Sequence, residues 1–160
     1  MSNRVGRRVR AISLMCLPAF AGCGGITSSD RQDVVFEVIE DVTFAPGLDI
    51  DLSLMEKLPS GVYILDRVVG TGESLAYGNN ADVNYRGWLR TGTLFDQGTT
   101  SFLMGNGTVI PGFEQGVLGM KAGGTRLLII PPILAWGERG APGIPPGAIV
   151  IFEVELLGVS

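Results

Sequence analysis

The sequence has 160 residues, a length that suits one domain with a small additional segment. Hydrophobic residues make up 46% of the chain and charged residues 18%, as in folded proteins, and the net charge of −4 offers no basic surface for nucleic acid. The chain contains no histidine, which excludes Ser-His triads, histidine general bases and most zinc sites. We therefore expect no nucleic-acid partner and no metal.

Residues 1–22 have the pattern of a secretory signal peptide, with four arginines followed by a short apolar run. The run over residues 11–19 is too short to span a bilayer as a helix. Small residues that end in Cys23 resemble a bacterial lipoprotein signal, in which Cys23 becomes the lipidated N-terminus. Phe20 departs from that signal, where leucine is usual. An ordinary signal peptide cut nearby and an uncleaved anchor are the alternatives.

Cleavage before Cys23 would remove four of the 12 basic residues and none of the 16 acidic ones, which changes the net charge from −4 to −8. It would also remove Cys16, so the mature chain could form no internal disulfide and would keep no free thiol. The resemblance to a lipoprotein implies a location in the bacterial cell envelope, lipid-anchored to a membrane and facing the periplasm or the exterior.

Residues 23–60 are predicted to hold the lipidated cysteine, a tether and an irregular lead-in. Residues 24–33 are polar and contain Gly and Ser, as flexible tethers do. Residues 34–39 form an edge strand or stay loose, and residues 44–58 contain one short turn of helix. No function for this lead-in follows from its sequence.

The compact domain is predicted over residues 61–160, and most of it alternates in the manner of strands. In residues 81–90, for example, Val83 and Tyr85 share one face, while Arg86 and Trp88 share the other. The acids Glu153 and Glu155 mark the solvent face of the last strand. Strands are predicted at residues 62–69, 81–90, 93–96, 101–104, 125–130 and 148–157.

One short helix is predicted between these strands, because Phe113, Val117 and Met120 recur at helical spacings of four and three. Proline and glycine before residue 113, and a glycine pair after Met120, limit the helix to residues 113–120. Strands, a helix and further strands give an α+β fold in which one helix packs on an antiparallel sheet. We expect the loop over residues 105–112 to line a cavity between them. That loop lacks the lysine and the strand context of a phosphate-binding loop.

Three long runs carry a resemblance to a known family: VNYRGWLRTGTLFD, VIPGFEQGVLGMKAGGTRLLIIPP and AWGERGAPGIPPGAIVIFEVELL. They resemble the FKBP-type peptidyl-prolyl cis-trans isomerase domain, and the similarity covers residues 61–160. The resemblance implies a strongly bent antiparallel sheet wrapped around one short helix. It also implies a monomeric isomerase of Xaa-Pro bonds that needs no cofactor, binds proline-containing polypeptide segments and is a target for macrolide inhibitors.

The same resemblance implies a substrate pocket, with the Tyr85 hydroxyl bonded to Asp96 and with Phe95 as a wall. A core tyrosine and a turn-capping aspartate are the structural alternatives for that pair, and Val109 and Ile110 could equally be plain core residues. The implied pocket residues are Tyr85, Phe95, Asp96, Val109, Ile110, Phe113, Trp136, Ile144 and Phe152.

Three pocket positions depart from the family pattern. Phe113 stands where many members have tryptophan, and Trp136 stands where a tyrosine usually donates its hydroxyl. A common wall phenylalanine is replaced by Thr100 or Ser101. Two hypotheses follow: an isomerase that assists folding of exported proteins, or a catalytically weak module that holds prolyl segments.

Overall fold

The computed structural model of the chain describes residues 34–160, and these fall within one compact unit, Asp33–Ser160. The predicted signal peptide, Cys23 and the predicted tether lie outside the described residues. Within them, six antiparallel strands form a single sheet in the order β1-β2-β5-β6-β3-β4. The strands are β1 Glu56–Lys57, β2 Tyr63–Val68, β3 Asn80–Leu89, β4 Leu94–Leu103, β5 Thr125–Ile130 and β6 Val150–Val159, and the helix is α1 Pro111–Val117.

The α+β architecture predicted from the sequence is confirmed, and most strand bounds agree to within two residues. The main difference is β4, which is one continuous strand where two short ones were predicted. Its Gly98 pairs with Tyr85 of β3, so the ladder runs through the glycine without a break. The β3-β4 hairpin, whose register shifts only between Gly87 and Trp88, gives the cavity one long side.

Helix α1 begins at Pro111 and ends at Val117, which is earlier than the predicted range of 113–120. Proline is favoured at the first helical position, because its fixed φ suits a helix and its missing N–H has no helical partner there. The chain leaves the helix before Gly119, which has a φ of +76°. Met120 is still buried, but it lies after the turn that ends the helix.

Two helix glycines bring α1 unusually close to strand β5. A Cβ atom at Gly112 would lie 2.2 Å from Cγ2 of Ile130, and one at Gly116 would lie 2.8 Å from Cδ2 of Leu128. A side chain at either position would force Ile130 or Leu128 to move. The helix can therefore rest directly on the sheet, and the buried residues between them form the larger core cluster.

A second core cluster lies on the opposite face of the sheet, where the lead-in covers it. Ile151 is fully buried there, although it shares the face on which Glu153 and Glu155 point to solvent. The lead-in is thus part of the compact unit, which begins well before the predicted domain start at residue 61. The covering side chains are Val42, Phe44, Leu48, Ile50, Leu52 and Met55.

The lead-in contains no edge strand over residues 34–39, and it has three short 3-10 helices where one helical turn was predicted. These helices are Ile39–Asp41, Pro46–Leu48 and Leu52–Leu54, and a fourth, Pro132–Leu134, follows β5. In the described part of the chain, no helix has the length and apolar character needed to cross a membrane.

Candidate functional site

A cavity of about 360 Å³ opens beside the start of helix α1, and strands β3, β4 and β6 form part of its lining. Seven of the nine site residues predicted from the sequence meet in it. The lining residues are Tyr85, Asp96, Thr100, Thr108, Val109, Ile110, Phe113, Trp136 and Phe152.

The floor of the cavity is a set of interlocked aromatic rings centred on Phe113. The Phe113 and Phe152 rings meet edge to face, with centroids 5.3 Å apart and planes at 86°. Tyr85 and Phe102 approach the Phe113 ring at 6.3 Å and 5.9 Å. Because Phe113 is only 5% exposed, these edge-to-face contacts hold the floor rigid.

Phe95 lies behind the wall, which corrects the prediction that it lines the pocket. Its ring packs edge to face against Trp136 at 5.7 Å and Phe152 at 5.6 Å, and both of those residues line the cavity. Gly87 makes room for this second layer, since a Cβ atom there would come within 2.7 Å of the Phe95 ring. Phe95 therefore supports the wall from outside the cavity.

Ile144 is also absent from the cavity lining, contrary to the prediction that it forms a wall. It is 5% exposed and belongs to the larger core cluster. Two backbone hydrogen bonds with Ala141, of 2.8 Å and 2.9 Å, fold the loop back on itself and turn Ile144 into the core.

The polar feature of the cavity is the pair formed by Tyr85 and Asp96. The Tyr85 hydroxyl donates a hydrogen bond of 3.0 Å to Oδ2 of Asp96, the contact implied by the family resemblance. Burial, and after it the bond to Asp96, raises the pKa of Tyr85 above its usual 10.0. The phenol is therefore neutral and able to donate at physiological pH.

Ile110, in the loop before α1, lines the cavity and carries a backbone donor. The Ile110 carbonyl accepts from the amides of Phe113 and Glu114, at 3.0 Å and 3.3 Å, but no hydrogen bond within residues 34–160 uses the Ile110 N–H. The Glu114 carboxylate holds the loop in place by accepting from the Gly105 N–H at 3.0 Å. An N–H group on a residue that lines the cavity can donate to a carbonyl of a bound ligand.

Two threonines, Thr100 and Thr108, complete the lining, and only Thr100 was considered in the sequence analysis. Strand alternation leaves Thr100 in the cavity, while Ser101 turns to the other face and bonds to Asp82. Of the two residues, Thr100 is the one that lines the cavity. Thr108 was not foreseen; its N–H and hydroxyl both bond to Oδ1 of Asn106, a local turn with no signal for a ligand.

No group of three or more His, Cys, Asp or Glu side chains able to hold a metal ion occurs among residues 34–160. The chemistry available in the cavity is therefore that of aromatic surfaces, one carboxylate and a few hydrogen-bond donors.

A family model described as FKBP-type peptidyl-prolyl cis-trans isomerase matches residues 72–157, more than half of the chain. FK506-binding protein 4 of Rhizopus delemar is 45% identical over 109 residues, which cover 65% of this chain and 28% of that protein. FK506-binding protein 4 of Neurospora crassa is 45% identical over 108 residues, with coverages of 65% and 23%. The chain spans about a quarter of the length of these curated relatives.

Solved structures show the same similarity. FkpA from Escherichia coli superposes with a TM-score of 0.63 at 34% identity, over 72% of this chain and 55% of that one. AtFKBP13 superposes with a TM-score of 0.62 at 36% identity, over 66% of this chain and 98% of that one. The chain belongs to the FKBP-type peptidyl-prolyl cis-trans isomerase family.

Proposed function

We propose that this chain accelerates the cis-trans isomerisation of Xaa-Pro peptide bonds, acting as a monomer on exported proteins during their folding. The observation that carries the proposal is the aromatic cavity, whose lining includes the Tyr85–Asp96 pair and Ile110. Family membership supports it.

The chemical task suits such a cavity, because no covalent bond has to break. Amide resonance sets a rotation barrier of roughly 18–20 kcal/mol, and uncatalysed Xaa-Pro exchange takes tens to hundreds of seconds. The planar amide separates charge more than the twisted one does. A water-poor, aromatic pocket therefore favours the twisted transition state over the planar ground state.

We assign roles from the positions of the groups. The proline ring would rest on the floor made by Phe113 and Phe152. The Ile110 N–H would donate to a substrate carbonyl, and the Trp136 indole N–H would donate in place of the usual tyrosine hydroxyl. Asp96, oriented by the Tyr85 hydroxyl, would sit beside the twisting amide, where its charge acts on the changing carbonyl dipole.

The proposal also places the protein in the bacterial cell envelope, anchored by lipid on Cys23 and facing the periplasm or exterior. It rests on the signal-like pattern of residues 1–22. Changing Cys23→Ser should move the protein from the membrane fraction to the soluble fraction in cell fractionation, because the acyl chains are lost. Continued membrane association would contradict the lipid anchor.

A second candidate function is favoured by one observation, the presence of Thr100 in the cavity wall where an aromatic ring is common. A less enclosed pocket would hold prolyl segments with little turnover, as a binding module does. The names of the curated relatives refer to FK506, and we extend macrolide binding to this cavity as part of the proposal. The same threonine should weaken that binding.

The decisive experiment measures exchange of a Xaa-Phe-Pro or Xaa-Leu-Pro peptide by NMR line-shape analysis, with a fragment from residue 24 onward. This fragment contains the whole compact unit, with all six strands, the helix and both core clusters. Exchange should be well above the uncatalysed rate, and Asp96→Ala and Trp136→Ala should each lose about tenfold or more. Asp41→Ala, at an exposed carboxylate of the lead-in, is the control. Peptide binding without acceleration would establish the binding module instead.

A further inference from the structure

The lead-in contacts the end of the loop that carries Trp136, and Glu37 also bonds to two residues beside that end. The Glu37 N–H donates to the Gly147 carbonyl at 2.9 Å, at the end of the loop over residues 131–147. One carboxylate oxygen accepts from the Ile149 N–H at 2.9 Å, and the other pairs with the Arg90 guanidinium. A single residue thus joins the end of this loop to the neighbouring ends of β6 and β3.

The contact is close enough to constrain the loop. Gly147 has a φ of +73°, and a Cβ atom there would lie 2.4 Å from the Val35 carbonyl oxygen. The lead-in backbone therefore lies directly on the loop, with no space between them. The Glu37 side chain is 26% exposed, so both of its hydrogen bonds are partly shielded from water.

From Gly147, hydrogen bonds lead to the cavity wall. The Gly147 N–H donates to the Gly137 carbonyl at 2.8 Å, and Gly137 directly follows Trp136. The Trp136 carbonyl in turn accepts from the Gly140 N–H at 3.2 Å. The Trp136 indole lines the cavity on one side and contacts Phe95 on the other. Glu37 is thus two backbone hydrogen bonds away from the residue beside Trp136.

We infer that Glu37 is a positioning residue: it fixes the loop over residues 131–147, and thereby holds Trp136 in place as a wall of the cavity. It does not touch substrate, and its effect on turnover rests on the proposed function. The lead-in, which follows the predicted tether in the chain, then acts as a clamp on the site. Its effect on the loop exists whether or not the cavity catalyses isomerisation.

The test compares two carboxylates of the same lead-in in the fragment from residue 24 onward. Glu37→Ala removes the carboxylate that bonds to Ile149 and Arg90, and it keeps the backbone hydrogen bond to Gly147. Glu40→Ala removes the contacts to Lys57 of β1 and Tyr63 of β2, neither of which belongs to the loop, and is the matched control. Glu37→Gln is a milder variant that keeps one acceptor oxygen and should give intermediate values.

The first readout is amide hydrogen exchange at Gly147 and Ile144, whose N–H groups bond within the loop and not to Glu37. Exchange should become about tenfold faster in Glu37→Ala and stay unchanged in Glu40→Ala. The second readout is the exchange kinetics of the prolyl peptide, where kcat/KM should fall about tenfold in Glu37→Ala only.

Each outcome decides a different point. Unchanged loop exchange in Glu37→Ala overturns the clamp. A loosened loop with unchanged kcat/KM and unchanged peptide affinity overturns the positioning role. If the unaltered protein binds the peptide without accelerating its exchange, the proposed isomerase function fails. The inference is then judged by loop exchange and by peptide affinity, which should still weaken in Glu37→Ala alone.

Discussion

The Tyr85 hydroxyl is the group whose removal separates site chemistry from folding most cleanly. Tyr85→Phe deletes one hydrogen bond to Asp96 and leaves the ring contacts with Phe113 and Phe152 in place. We expect the free energy of unfolding to change by about 1 kcal/mol or less, because a partly exposed hydrogen bond contributes little net stability. Turnover of a prolyl peptide should fall modestly, by about twofold to tenfold, as Asp96 loses its orienting partner.

Urea unfolding and NMR peptide exchange measure the two effects on the same sample, with Tyr77→Phe at an exposed tyrosine as the control. Because burial and Asp96 raise the pKa of Tyr85 above 10.0, activity should show no loss from its ionisation as the pH rises toward 10. Failure of Tyr85→Phe to fold would show that the hydroxyl is structural.

A predicted site residue lines the cavity only if its side chain lies in the layer nearest to it. Sequence patterns do not show in which layer a side chain will pack. Motif matching brought together Tyr85, Asp96 and Trp136 from distant parts of the chain. Phe95 and Ile144 matched the same motifs and ended one layer behind the wall. The missing Cβ of Gly87 lets the Phe95 ring pack there, and such a three-body arrangement is not visible in strand alternation.

Among the secondary-structure elements, helix α1 depends on a side chain from a strand. Arg126 of β5 donates to the Gly116 carbonyl at 2.9 Å and to the Leu118 carbonyl at 3.2 Å, at the C-terminal end of the helix. Its other donors bind both carboxylate oxygens of Asp66 at 2.6 Å and 3.0 Å. Carbonyls at a helix end have no partner within the helix, so Arg126 supplies one.

Arg126→Lys should therefore destabilise the protein by about 2 kcal/mol, because an ammonium cannot reproduce the fork that serves two carbonyls and a carboxylate. The residue is 7% exposed, so water replaces the lost contacts poorly. Urea unfolding measures the change. Arg67→Lys is the matched control: its contact with Glu153 is 3.7 Å and more exposed, and its loss should cost less than about 0.5 kcal/mol. Equal effects for both arginines would contradict the capping role.

The strand that holds Arg126 was predicted at its observed bounds, Thr125–Ile130, since a β-branched and apolar run followed by two prolines is an unambiguous pattern. The capping role of its arginine could not be foreseen. Asp66 lies 60 residues away in sequence, and the helix end is met only when the sheet and helix have packed. Local patterns fix the type of each element, whereas contacts between elements follow from the assembled fold.

Across the whole molecule, the lead-in is joined to the sheet by a pH-sensitive contact. The Lys57 ammonium, and after it the Tyr63 hydroxyl, lower the pKa of Glu40 from its usual 4.5 to about 2. A carboxyl with a depressed pKa stabilises the folded state fully above its unfolded pKa, and this contribution is lost as the pH falls from 4.5 toward about 2. Because the Glu40 side chain is 44% exposed, solvent screening keeps the contribution below about 1 kcal/mol.

Glu40→Gln should consequently be less stable than the unaltered protein at neutral pH, and the difference should shrink as the pH falls through this window. Urea unfolding at about pH 7, 4 and 2.5 measures it. Glu56→Gln, at an exposed carboxylate of β1, is the control for the loss of one surface charge. A difference that stays constant at all three pH values would show that the Glu40 charge does not matter.

The lead-in was the part of the chain that sequence analysis explained least, because its short 3-10 helices have no periodicity to detect. Its apolar residues, such as Phe44 and Ile50, gave no sign of the surface that they cover. The evidence for that surface was in the last strand. Ile149 and Ile151 lie on the same face as Glu153 and Glu155, which had been assigned to solvent. When half of a strand's solvent face is apolar, another segment must cover that half. Here the lead-in covers it.

Removing this cover is the strongest test of the assembled molecule. A fragment of residues 61–160, the domain as predicted from the sequence, would lose strand β1 and the lead-in. It would expose the second core cluster, which includes Tyr63, Leu127, Ile129, Ile149 and Ile151. Uncovering a large apolar side chain costs about 1.5–3 kcal/mol, and domains are stable by only about 5–15 kcal/mol. The fragment should therefore unfold at a far lower urea concentration than a fragment of residues 24–160, or fail to fold.

A fragment of residues 34–160, which lacks only the predicted tether, is the control and should keep the urea midpoint of the fragment of residues 24–160. An unchanged midpoint for residues 61–160 would mean that the first core cluster alone determines stability, and that the lead-in serves the site and not the fold.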